Sequence, residues 1–183
     1  EIPLRLVGSE MCIRDSSYDV IMVDAYQDIT IPFQMSSVEF FTMVKEHLNE
    51  NGVMVVNMNM RGNNEGNINQ YLSDTIASVF DHIVTVDVDG STNRELYASS
   101  NADMAKPLEN NANETGHSDL RDMMLHVADT SSVYEAGDYI MTDDKAPVEL
   151  LGMQVIDQLI QGEVAYYKDI FEKDGINGLL ESL

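Results

Sequence analysis

The sequence predicts an α/β fold: part of an open sheet, closed by an antiparallel hairpin and followed by added helices. Three observations predict it. Short apolar runs alternate with helical stretches from residue 18 to residue 79, the pattern of strands and helices layered on one sheet. Two strand-like segments separated only by Asp89-Gly90-Ser91-Thr92-Asn93 follow, as in a hairpin. The C-terminal third is dominated by helix-period apolar spacing.

Residues 1–16 show neither alternation nor a helical stripe, and no apolar stretch follows a basic start as in a signal peptide. VGSEMCIRDS resembles the peptide left when sequencing-adapter DNA is translated at the edge of a gene, so this segment is expected to be non-native and the protein to extend further upstream. Tyr18 to Asp24 is an apolar run ending in an acid, expected as a strand buried on both faces. Ser36 with Glu39 three residues on predicts a capping box. Val38, Phe41, Val44 and Leu48 continue as a helix that Asn51-Gly52 should stop. Val53 to Met58 is a second buried strand. A turn-forming loop around Gly62 and Gly66 follows, then a helix carrying Ile68, Leu72, Ile76 and Val79 on one face. Residues 83–88 and 95–99 form the hairpin strands.

Residues 101–117 are polar, with Pro107 and Gly116 as breakers, and are expected as a loop or lid. A helix is predicted over 118–127, a long one over 148–160, and a short one over 163–171. The organisation expected is therefore a partial sheet domain over 17–100, a polar loop over 101–117 and a helical extension over 118–183.

Charge narrows the function. With 10 Lys+Arg against 32 Asp+Glu the net charge is −22, which opposes nucleic-acid binding because that binding needs cations to displace counterions. A cationic small substrate would be attracted by the same field, although an acidic surface also serves solubility alone. Cys12 is the one cysteine, so neither an internal disulfide nor a Cys-based zinc site is expected, and a reducing, cytoplasmic setting fits. The four histidines never fall at i and i+4, no glycine-rich phosphate loop occurs, and Asp87-Val88-Asp89-Gly90 lacks the flanking ligands of a calcium loop. No metal site is expected.

Two constellations can carry chemistry. Asp24 stands at the carboxyl end of a strand, where ligands bind in open α/β sheets, followed by Tyr26, Gln27 and Asp28. A carboxylate there holds a cation or accepts a proton; alternatively it caps a turn. In Thr142-Asp143-Asp144-Lys145-Ala146-Pro147 the acids either cap the following helix or line a pocket for an amine.

Tyr18-Asp19-Val20-Ile21-Met22-Val23-Asp24-Ala25-Tyr26, Ile31-Pro32-Phe33, Ser37-Val38-Glu39-Phe40-Phe41 and Asn51-Gly52-Val53-Met54-Val55-Val56-Asn57 resemble the second half of spermidine synthase-like proteins. Thr142 to Glu149 is similar to a C-terminal motif of the bacterial branch, some of whose members are fused to membrane domains. The resemblance implies a partial Rossmann-like sheet of the S-adenosylmethionine-dependent methyltransferase type. It also implies an aminopropyltransferase of polyamine biosynthesis, with decarboxylated S-adenosylmethionine as co-substrate, putrescine or a related amine as acceptor, and no prosthetic group. Asp24 would be the base, Tyr26, Gln27, Asp28, Asp143 and Asp144 would face the amine, and Pro32 and Phe33 would approach the adenine. Known synthases carry a second Asp where this chain has Gln27, which bonds an amine without neutralising it. The glycine-rich nucleotide site is expected upstream, leaving this segment inactive alone. Homodimers or larger assemblies are implied. The alternatives are a methyltransferase using S-adenosylmethionine itself and a noncatalytic binding module on the same fold.

Overall fold

The computed structural model describes residues 16–25, 31–59 and 65–182. Five strands form one sheet in the order β1-β2-β4-β3-β5: β1 (Tyr18–Val23), β2 (Leu48–Asn59), β3 (His82–Asp87), β4 (Asn93–Ser99) and β5 (Ser132–Val133). β1 and β2 are parallel and joined through helix α1 (Val38–Glu46). β3 and β4 are the expected antiparallel hairpin, with β4 inserted between β2 and β3. Helix α2 (Ile68–Ala77) connects β2 to β3.

Register divides the sheet into two unequal faces. Val23, Met54, Val56, Leu96, Ala98 and Ile83 point to one side and are buried with Phe41 of α1 and Leu72 and Ile76 of α2. This is the main core, and burial of its apolar side chains supplies most of the drive to fold. On the other side, helices α3 (Lys106–Glu114) and α4 (Ser118–Thr130) cover β3 and β4 and enclose a cavity of about 490 Å³ lined by Val53, Val84, Tyr97 and Leu108. Over β1 no described helix covers that side. Val20 and Met22 are exposed, Met22 by 73%, so β1 is not the doubly buried strand its composition predicts. It lies at the margin of the sheet, and an apolar run reads the same whether a cover is present or not.

Other expectations shift for local reasons. Ser36 closes a 3-10 turn (Phe33–Met35) by donating to the Phe33 carbonyl at 2.9 Å, so the N-cap of α1 falls to Ser37, whose Oγ accepts from Phe40 N–H at 3.2 Å. The Ser36/Glu39 capping box is therefore not made. Helix α1 ends at Glu46, and Asn51-Gly52 lies inside β2, where the β1–β2 register shifts. The supposed lid at 101–117 contains α3: Pro107 falls in its first turn, where proline starts a helix and does not break one. Beyond α4, the short β5 pairs with β3. Helix α5 (Val148–Ser182) runs through Gly162 without a break, the only non-helical residue inside it being Gly175 at φ 64° and ψ −158°.

Residues 134–145 form a strap across α2 and α1. Asp74, buried in α2, accepts hydrogen bonds from Tyr134 Oη at 2.6 Å, Gly137 N–H at 3.0 Å and Tyr139 N–H at 3.1 Å. Met141, fully buried, donates its N–H to Thr75 Oγ1 at 2.9 Å and accepts at its carbonyl from Val38 N–H at 2.9 Å. A Cβ at Gly137 would stand 2.5 Å from Asp74 Oδ2. Gly137→Ala is therefore expected to cost about 1 to 3 kcal/mol through forced displacement of the strap, read as a lowered urea midpoint with unchanged m-value.

Candidate active site at the sheet's carboxyl edge

Asp24 follows the last residue of β1, beside Asn57 at the corresponding level of β2. The Asn57 side-chain amide donates to Asp24 Oδ1 at 3.0 Å, and the Asn93 amide donates to Asn57 Oδ1 at 3.1 Å. Glu95 is the direct cross-strand partner of Asn57. Alternation places Asp24, Asn57, Asn93 and Glu95 on one face of the sheet, opposite α1 and α2. The group has two carboxylates, and its amides orient one of them toward solvent.

Burial, and then the charge of Asp24, push the Glu95 carboxyl above its ordinary value of 4.5. The folded protein thus holds this proton more tightly than the unfolded chain. Stability falls as pH rises through the interval between the two values, and the penalty persists above it. Glu95→Gln is accordingly expected to raise the melting temperature at pH 7, with the gain gone at pH 3, as followed by calorimetry at both pH values.

A second cluster involves Asp143. Its Oδ1 accepts from Ser37 Oγ, the N-cap of α1, and its N–H donates to Glu39 Oε2 at 3.0 Å. Thr142 and Lys145 exchange backbone hydrogen bonds, closing a turn that leaves Asp143 and Asp144 exposed. Neither these acids nor Thr142 caps α5. The Pro147 carbonyl accepts from Leu151 N–H, so the helix begins after the proline. Pro32 precedes the 3-10 turn and Phe33 opens it, half-exposed, just ahead of α1. Pro32, Phe33 and Asp143 thus gather at the N-terminal end of α1, whereas Asp24 stands at the end of β1 on the sheet face opposite that helix. Tyr26, Gln27 and Asp28 lie outside the described residues.

Sequence reasoning missed Asn57, Asn93 and Glu95. Asn57 did carry a signal, since it follows the apolar run Val53-Met54-Val55-Val56 much as Asp24 follows its own. Glu95 and Asn93 became readable only once β4 was paired to β2. Among the described residues no group of three or more His, Cys, Asp or Glu side chains is arranged to hold a metal, and no helix is long and apolar enough to cross a membrane.

No family model matches the chain. It is 52% identical to a probable polyamine aminopropyl transferase of Bifidobacterium longum, across 91% of this chain and 41% of that protein. The chain thus spans about two fifths of the length of this relative. Among solved structures, human methyltransferase-like protein 13 in complex with SAH aligns with a TM-score of 0.44 and 17% identity, covering 79% of this chain and 63% of that one. A probable spermidine synthase from Corynebacterium glutamicum aligns with a TM-score of 0.37 and 17% identity, over 73% and 54% respectively. By sequence identity, over the segment it shares with the Bifidobacterium relative, the chain is similar to a polyamine aminopropyl transferase.

Proposed function

We propose that the protein carrying this segment is an aminopropyltransferase that moves the aminopropyl group of decarboxylated S-adenosylmethionine to putrescine or a related amine. The observation that carries the proposal is the exposed Asp24 carboxylate at the end of β1, oriented by Asn57 and backed by the second acid Glu95. The amine nitrogen attacks the aminopropyl carbon attached to the sulfonium. The carbon–sulfur bond breaks, its electron pair stays on sulfur to give neutral methylthioadenosine, and the nitrogen sheds a proton. An alkylamine with a pKa of ~10 arrives protonated. A carboxylate that binds the ammonium and then accepts its proton supplies both needs at one atom.

In this reading Asp24 is the base and Asn57 fixes which of its oxygens faces the substrate. Asp143, Asp144 and Asp28 add negative potential along the path of a diamine, Tyr26 and Gln27 offer hydrogen bonds, and Pro32 and Phe33 bound the nucleotide side. Holding amine and carbon in line supplies a large part of the acceleration, since bound reactants escape the entropy of encounter. The chain's net charge of −22 concentrates polycations near the site.

Methylthioadenosine and spermidine should accumulate together when the protein, carried to the length of its relative, is incubated with putrescine and decarboxylated S-adenosylmethionine. Transfer of a methyl group from S-adenosylmethionine with no methylthioadenosine would assign the methyltransferase alternative. Binding without turnover of either nucleotide would assign a noncatalytic module.

A further inference from the structure

Helices α3 and α4 cover one side of β3 and β4 without settling onto it. No residue of α4 is buried, although a covering helix ordinarily buries its apolar stripe. The cavity of about 490 Å³ lies beneath it, with Val127 and Ala128 of α4 and Leu108 of α3 as roof and Tyr97, Val84 and Val86 as floor. Protein interiors leave few voids larger than a water molecule, whereas a mostly apolar hollow of several hundred Å³ is the kind of space that small ligands occupy.

Sheet register joins this hollow to the candidate active site. Continued one residue past Val23, the β1–β2 register sets Asp24 beside Asn57; Asn57 is paired with Glu95, and Glu95 with Val86. One row across four strands therefore runs from the Asp24 carboxylate through Glu95 to a wall of the cavity. Tyr97 and Val84, themselves cross-strand partners, stand two residues along from Glu95 and Val86 on the same face. Burial, and then the charge of Glu95, raise the Tyr97 hydroxyl above its ordinary value of 10.0, in keeping with that proximity.

We propose, resting on the aminopropyltransferase reading, that this cavity receives the hydrocarbon chain of the acceptor and that the acceptor is a long-chain aliphatic amine. Its ammonium lies over Asn57, between the Asp24 and Glu95 carboxylates. From there Tyr97 is one strand across and two residues along, a diagonal of about 8 Å, and Val84 is one strand further. An extended chain of about eight carbons covers that path, and the four carbons of putrescine end near its entrance. Each methylene buried against the apolar walls favours binding by about fourfold. Lys106, exposed beside the cavity, is held by Asp103 at 2.6 Å and does not oppose a cation. A further segment of the longer relative is a poor fit for the space, because a single helical turn, about 10–12 Å across and about 5.4 Å long, already has a volume comparable to the whole cavity.

Calorimetric titration of the whole chain with n-butylamine, n-hexylamine and n-octylamine tests the site. Affinity is expected to rise by about tenfold or more from butyl to octyl. Ala128→Phe, whose ring enters the cavity, should abolish that rise and leave butylamine binding unchanged, and Glu95→Gln should weaken all three amines by a similar factor. In the unaltered chain, nuclear Overhauser contacts from the terminal methyl of n-octylamine to the Leu108 and Val84 methyls should locate the ligand without any substitution. Affinity independent of length, a length dependence that survives Ala128→Phe, or Overhauser contacts to α5 in place of α3 and β3 would each overturn the proposal. Turnover is scored separately, in the protein carried to the length of its relative. A kcat/KM about tenfold or more higher for n-octylamine than for putrescine supports the acceptor role. Methylthioadenosine release with putrescine alone overturns it and leaves the enzyme reading intact. No release with any amine, beside length-dependent binding, removes the enzyme reading and with it the acceptor role, and leaves the cavity as a long-chain amine site.

Discussion

Asp24→Asn is expected to lower the rate of methylthioadenosine release by about 100- to 10,000-fold, the range that a positioned general base contributes. The substitution keeps the size and planarity of the side chain, and its amide oxygen can still accept from Asn57 Nδ2, so the fold should be unaffected. What disappears is the negative charge that, in the proposed mechanism, holds the ammonium and the lone pair that takes its proton. The pH profile separates the two losses. If Asp24 acts only by attraction, activity of the variant should recover as pH rises and the amine loses its own proton in solution. If it also removes the proton during transfer, the deficit should persist at pH 10. Glu95→Gln provides the contrast, since Glu95 acts on the site through charge and should change the rate far less. An unchanged rate in Asp24→Asn would remove Asp24 from the mechanism and leave the proposed activity resting on sequence similarity to the Bifidobacterium relative alone.

How much of this was legible in the sequence depends on whether a residue's partner is local. Helix α2 was readable because Ile68, Leu72 and Ile76 repeat at its own period, and all three are buried. The hairpin was readable because Asp89-Gly90 bounds two alternating strands, with Gly90 at a positive φ of 69°. Asp24 stood out as an acid ending an apolar run. Asn57 and Glu95 did not, because what makes them part of the site is the pairing of β2 with β4, thirty-eight positions apart at Asn57 and Glu95. Burial of β1 was misjudged for a related reason. Composition reports that Val20 and Met22 suit a covered strand and cannot report whether the cover lies within the chain. The capping box failed by a single residue, since Ser36 and Ser37 are equivalent locally and only the preceding 3-10 turn chooses between them.

The strap over α2 escaped prediction altogether, and it carries the largest expected stability effect. Residues 134–145 have no periodicity, and three of the bonds that order them go to one buried side chain, Asp74, sixty or more positions upstream. Asp74→Ala would leave Tyr134 Oη and the N–H groups of Gly137 and Tyr139 without their partner. Each abandoned donor costs desolvation unless water reaches it, so a loss of about 3 kcal/mol is expected, a fall in melting temperature of about 6 to 12 °C for a chain of this size. Asp74→Asn discriminates the cause. Its oxygen can keep the bonds from Tyr134 and Gly137, but its amino group would face Tyr139 N–H, donor against donor, so it should lose roughly 1 kcal/mol, less than the alanine. Were the two variants equally damaging, packing and not hydrogen bonding would explain the strap. The location of the damage is also predictable. Because the strap continues through Met141 to the N-terminus of α1 and through Asp143 to Ser37, its release should open proteolytic cleavage within 134–145 first. The sheet should remain protected from hydrogen exchange, since none of the bonds lost to Asp74 belongs to the pairing of β1, β2 and β4 that positions Asp24 and Asn57.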